Sequence, residues 1–179
     1  GLDVFGKTLG IVGLGKIGEA VARRASGFGM TLLYTRRNRL SPVQEKALNV
    51  HYRSLKSLLV ESDIVTLHAP LTDETRHLIN RETIQLMKPR SVLINTARGD
   101  VVDEAALVAA LRGGRLAGAG LDVFEKEPQV SPELLAMENV VLLPHLGSAT
   151  RETREAMGMR ALENLRLFFR GAALRDQVV

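Results

Sequence analysis

Residues 8–18 read TLGIVGLGKIG. An apolar run from Leu9 to Val12 enters a turn carrying Gly13, Gly15 and Gly18. Beyond it Ile17, Val21, Ala25 and Phe28 recur at spacings of four, four and three, the period of an amphipathic helix whose apolar face they would form. Strand, glycine turn and helix, in that order, are the setting in which G-x-G-x-x-G binds a dinucleotide. Gly13 permits the tight turn out of the strand, Gly15 lets the backbone approach a pyrophosphate, and Gly18 lets the helix pack closely on the strand. Lys16 and Ile17 stand at the helix start, where free N–H groups and the positive end of the helix dipole meet phosphates.

Strand-like and helix-like segments alternate from there to the end of the chain. Strands are expected at Thr8–Val12, Thr31–Tyr34, Val50–Arg53, Asp63–His68, Ser91–Thr96, Leu116–Val123 and Val140–Pro144. Several are almost continuously apolar, as in Ile64-Val65-Thr66-Leu67 and Val140-Val141-Leu142-Leu143, which suits strands covered on both faces of a parallel sheet. Ser54 caps a short helix with Leu55, Leu58 and Leu59. Asn80 starts another, which stops at Pro89. Asp103 caps a third, ending at Gly113-Gly114. A last helix begins near Thr150, with Met157, Ala161, Leu165 and Phe168 on one face. The expectation is an α/β fold, a doubly wound parallel sheet of Rossmann-like type in three layers, as one domain over residues 1–179.

The second strand should end in an acid that holds the adenosine ribose hydroxyls. It ends instead in Thr35, Arg36 and Arg37, and Arg39 follows closely. A carboxylate there would repel a 2′-phosphate, whereas a threonine hydroxyl and guanidinium groups bind one. NADP is therefore the expected cofactor, with NAD as the alternative.

Bulk properties narrow the rest. A chain of 179 residues with 45% apolar content can build a real core. No apolar run approaches the ~20 residues of a membrane span, and no secretory leader is recognised at the start, so no membrane partner and a cytoplasmic location are expected. There is no cysteine, hence no disulfide or thiol chemistry. The net charge of +4 accompanies no nucleic-acid motif, so no nucleic-acid partner is expected. No cluster of His, Asp and Glu has metal-ligand spacing, and no metal is expected. His51 and His77 read as surface or packing residues; Asp73, Glu74, Glu152 and Glu155 read as solvated helix-end charges.

Three further stretches fall just past expected strand ends, where open parallel sheets place their ligands: Asn95-Thr96-Ala97-Arg98-Gly99, Asp122 to Pro128, and Pro144-His145-Leu146-Gly147-Ser148. They offer an arginine, a glutamate and a histidine for one site. Such a set suits carbonyl reduction. Arg98 would bind a substrate carboxylate or carbonyl oxygen, protonated His145 would give up a proton, and Glu127 would favour the imidazolium.

The segments GKTLGIVGLGKIG (6–18), LHAPLT (67–72), INTARG (94–99), GLDVFEKEP (120–128) and PHLGSAT (144–150) together resemble the NAD(P)-binding domain of the D-isomer-specific 2-hydroxyacid dehydrogenases. The resemblance gives the catalytic roles to Arg98, Glu127 and His145 and a nicotinamide carboxamide contact to Asp122. It puts His68, Pro70, Thr96, Ala97, Arg98, His145 and Gly147 beside the cofactor. The Thr-Arg-Arg sequence departs from the family's common aspartate and resembles the NADPH-using glyoxylate, hydroxypyruvate and 2-ketogluconate reductases. The implied activity is reduction of a small 2-oxoacid, glyoxylate or hydroxypyruvate. Also implied are a substrate domain that lies outside this sequence, poor activity without it, and a homodimer. Two other readings remain open at this point: a phosphite dehydrogenase-like enzyme, and a dinucleotide-sensing corepressor-like binding protein.

Overall fold

The computed structural model describes residues 3–177. The chain divides into two compact units, one reaching to Pro144 and one starting at His145. The first unit is built on seven strands: β1 (Thr8–Val12), β2 (Thr31–Thr35), β3 (Val50–Tyr52), β4 (Ile64–Leu67), β5 (Ser91–Asn95), β6 (Leu116–Leu121) and β7 (Val140–Leu142). All pair in parallel, in the order β3-β2-β1-β4-β5-β6-β7. Between them run α1 (Lys16–Ala25), α2 (Pro42–Leu48), α3 (Leu55–Glu61), α4 (Arg81–Leu86), α5 (Glu104–Arg112) and α6 (Pro132–Leu135). The order reverses between β1 and β4, the switch point at which doubly wound sheets bind ligands.

The three layers follow from the pleat. Leu9 and Ile11 of β1, with Leu32 and Tyr34 of β2, face a core shared with Ala22 and Ala25 of α1 and Leu48 of α2. Val12 and Leu33 face the opposite core, with Leu58 and Leu59 of α3, Ile84 of α4 and Leu107 of α5. Gly10 is where α3 comes closest, since a Cβ there would lie 2.5 Å from the Leu58 side chain.

Every expected strand is present, but most end earlier than the apolar pattern implied. Arg53, His68, Thr96, Asp122 and Val123 have left the strands. These residues carry polar groups or begin the loops that do, and they gather at the carboxyl edge. The helix caps at Ser54, Asn80 and Asp103 are as read from the sequence. α4 ends at Leu86, before Pro89, and α2 begins at a Ser41/Gln44 capping box that the sequence reading passed over.

Half of the expected apolar face of α1 packs, with Ala25 buried and Val21 partly buried against the core, and the other half does not. Ile17 and Phe28 are 67% and 57% exposed, and the buried positions are Gly18, Ala22 and Ala25. Small residues let the helix lie close to the sheet, and that requirement outweighs side-chain size. In the second unit, α7 (Arg151–Phe169) starts at the Thr150 cap. The apolar residues expected on one of its faces are exposed: Met157, Leu165 and Phe168 are 58%, 53% and 65% exposed. The segment after α7 is tied back to it by Arg160–Asp176 contacts of 2.6 and 2.9 Å and by Asn164.

A buried tyrosine fixes the loop after β2. Tyr34 Oη donates to Glu45 at 2.7 Å and accepts from the Leu40 N–H at 3.0 Å. Arg39 clasps the same carboxylate through two contacts of 2.8 and 3.0 Å. Arg39 therefore braces this loop. The Arg39 guanidinium and then the Tyr34 hydroxyl hold the Glu45 carboxyl at about 2, down from 4.5. A depressed carboxyl pKa stabilises the fold above the unfolded value and loses that contribution as pH falls towards the folded one. Wild-type stability should thus decline between about pH 4.5 and 2 more steeply than that of Glu45→Gln, read by acid denaturation. Superimposable profiles would contradict this account of the loop.

Candidate active site

At the switch point, the glycine turn and the loop after β4 press together. Gly13 has φ of +91°, and a Cβ on it would lie 2.5 Å from the Ala69 nitrogen and 2.6 Å from the His68 carbonyl carbon. A Cβ on Gly18 would lie 2.4 Å from the Gly13 oxygen. A Cβ on Gly15 would meet nothing within 4 Å. Gly15 caps α1 without any side-chain bond to the helix's first N–H groups. Open backbone facing a helix start fits a phosphate group there. Lys16 and Ile17 follow, both exposed.

A cleft of about 480 Å³ extends from this turn. One wall carries Thr35, Arg36, Arg37 and Asn38, and the other runs from His68 through Pro70 to Leu78. Gly13, Gly15, Thr35, Arg36, Arg37, His68 and Pro70 are thus brought together as the sequence implied. Arg36 donates to the Leu14 carbonyl at 3.1 Å, tying the β2 loop to the glycine turn. Arg37 is ion-paired with Glu74 from the facing wall. Glu74 is the solvated charge expected, 71% exposed, and it also lines the cleft. His68 lies 3.0 Å from Thr66 Oγ1, and its burial lowers the imidazole pKa. Burial thus favours the neutral imidazole, which suits a wall of the cleft.

Further along the same edge, the loops after β5 and β6 interlock. Asn95, 1% exposed, accepts from the Ala97 N–H at 3.0 Å and donates to the Arg98 carbonyl at 2.9 Å. One buried amide therefore shapes the turn through Thr96, Ala97 and Arg98. Gly99 is packed against the next loop so closely that a Cβ would lie 1.9 Å from the Phe124 carbonyl carbon and 2.4 Å from the Glu125 nitrogen. Glu127 turns back to accept from the Phe124 N–H at 3.0 Å. Arg98 and Glu127 are thus carried by loops joined at the Gly99–Phe124 contact, and both side chains face solvent. Asp122, 4% exposed, follows β6, and its N–H donates to the Asn95 carbonyl at 2.9 Å.

His77, expected at the surface or in packing, is 44% exposed, with Nε2 2.8 Å from Glu125. Asn95, Gly99 and Glu74 are the site residues that sequence reasoning left without roles. A buried asparagine at the end of an apolar strand was the available signal for the first. His145 and Gly147 lie in the second unit; both are exposed, and His145 has φ of +55°. Among the described residues, no group of three or more His, Cys, Asp or Glu could hold a metal, and no helix is long and apolar enough to cross a membrane.

Fold and cleft define a dinucleotide-binding domain of the doubly wound class. Residues 1–147 match the family model for the D-isomer specific 2-hydroxyacid dehydrogenase NAD binding domain, and the chain belongs to that family. Its cofactor is accordingly a nicotinamide dinucleotide. The chain is 55% identical to a glyoxylate reductase of Pyrococcus furiosus, over 96% of this chain and 51% of that protein. It is 56% identical to one of Korarchaeum cryptofilum, over 96% and 52%. Among solved structures, a glyoxylate reductase from Paecilomyes thermophila superposes with a TM-score of 0.88 at 48% identity, covering 93% of this chain and 50% of that one. The holo form of Rhodotorula graminis D-mandelate dehydrogenase gives a TM-score of 0.94 at 40% identity, covering 99% and 52%. The chain spans about half the length of the curated relatives it matches.

Proposed function

We propose that this chain is the cofactor-binding half of an NADPH-preferring reductase of small 2-oxoacids, glyoxylate or hydroxypyruvate. The observation that carries the reading is the interlock at Gly99, which holds the Arg98 and Glu127 loops together on the sheet edge that also bears the glycine turn. The glyoxylate reductases among its relatives give the substrate class.

Gly13, Gly15 and Gly18, with the N–H groups of Lys16 and Ile17, hold the pyrophosphate. Thr35, Arg36 and Arg37 take the adenosine end, and His68 and Pro70 wall the cleft. Thr96, Ala97, Asp122 and Gly147 flank the nicotinamide. When bound, that ring supplies hydride to a keto carbon. Arg98 binds the substrate carboxylate or carbonyl oxygen and stabilises the charge that develops there. His145 gives the proton to that oxygen, and Glu127 favours the imidazolium that has one to give. The substrate domain, a homodimer formed through this domain and a cytoplasmic location complete the proposal.

The ratio of kcat/KM for NADPH and NADH in the complete enzyme tests the cofactor preference. Wild type should favour NADPH, and Thr35→Asp should move the ratio towards NADH by about 10- to 100-fold, because a carboxylate repels the 2′-phosphate and accepts from ribose hydroxyls. Equal or NADH-favouring efficiency in wild type would sink the preference.

A further inference from the structure

We infer that Glu74 sets the strength of 2′-phosphate recognition by occupying Arg37 until a phosphate displaces it. The inference deepens the NADPH reading above and rests on it.

Three arginines follow β2, and two already have work within the fold. Arg36 donates to the Leu14 carbonyl, and Arg39 is clasped to Glu45 beneath the loop. Arg37 is the one whose partner comes from across the cleft: its guanidinium pairs with Glu74. The pair joins the loop after β2 to the loop after β4 over the cleft wall where Thr35 and Asn38 also lie.

The two sides of the pair are not equally free. Glu74 sits in a turn pinned by its neighbours. The Thr72 N–H donates to Thr75 Oγ1 at 2.8 Å, that hydroxyl donates to the Pro70 carbonyl at 2.6 Å, and the Arg76 N–H donates to the Thr72 carbonyl at 2.9 Å. Arg37 is a long side chain, and the paired side chains are 75% and 71% exposed. Ion pairs this exposed are held by no more than about fivefold in equilibrium terms. A phosphate monoester carries nearly two charges and three acceptor oxygens, so it outcompetes one carboxylate for the same guanidinium. Arg37 therefore changes partners when a 2′-phosphate arrives, and Glu74 opposes that exchange twice, by holding the arginine and by repelling the phosphate. A ribose without the phosphate meets neither effect.

The test measures dissociation constants of NADP+ and NAD+ for the complete enzyme and for its Glu74→Gln, Glu74→Asp and Arg37→Ala variants, with thermal melts as the folding control. Glu74→Gln should bind NADP+ about 3- to 10-fold more tightly and NAD+ within twofold of wild type. The gain should shrink in high salt, and most of it should vanish when Arg37→Ala is added. Glu74→Asp should stay near wild type. Unchanged NADP+ affinity in Glu74→Gln would overturn the inference. So would weakened NAD+ binding, which would make Glu74 a ribose ligand instead. Wild-type binding that fails to favour NADP+ would count against the cofactor reading alone, because the shift on Glu74→Gln is read separately.

Discussion

Gly99→Ala should destabilise the chain by about 3 kcal/mol or more and displace the Arg98 loop. The new Cβ would lie 1.9 Å from the Phe124 carbonyl carbon, 2.0 Å from its oxygen and 2.4 Å from the Glu125 nitrogen. All three atoms are backbone, so no rotamer change can make room. Either the β5 loop must lift, taking Arg98 with it, or the 124–127 segment must retreat and lose the Phe124 N–H bond that orients Glu127. Both movements part the loops that the proposed chemistry needs together. Denaturant unfolding measures the stability loss, and crystallography of the variant shows which loop moved. A wild-type unfolding midpoint would show that the contact at Gly99 does not organise this edge.

His145→Ala should lower glyoxylate-dependent turnover of the complete enzyme by roughly 10²- to 10⁴-fold, the usual worth of a positioned general acid. NADPH affinity should change little, since the cleft is walled by the glycine turn and by the loops after β2 and β4. That split between turnover and binding assigns the histidine to chemistry. Equal losses in both would assign it to cofactor binding or folding. Undiminished turnover would remove it from the reaction.

Much of this site was legible in the sequence because its causes are local. A tight turn at φ of +91° demands glycine, and Gly13 announces it. Alternating strand-like and helix-like segments, several of the strands almost continuously apolar, announce the parallel sheet. Long-range causes were hidden. Nothing near Gly99 in the sequence says that its Cα will touch the backbone of Phe124, because that contact forms only when β5 and β6 pair. Nothing near Glu74 says that Arg37 will face it, since the cleft between them exists only once β2 and β4 flank β1. On α1 the periodicity places Ala25 and Val21 correctly and Gly18 is legible as the close-packing residue, whereas Ile17 and Phe28 are exposed because the sheet side takes the small residues Gly18, Ala22 and Ala25.

In the proposed function this domain delivers NADPH to a 2-oxoacid. NADPH oxidation on adding glyoxylate tests it most directly, measured on the complete enzyme and on the 179-residue chain alone. Turnover should lie in the ordinary range of ~1–1,000 per second for the complete enzyme and be far less for the isolated chain, although that chain should still bind NADPH. A complete enzyme that binds NADPH but shows no glyoxylate-dependent oxidation would contradict it, as would an isolated chain that turns over at the ordinary rate.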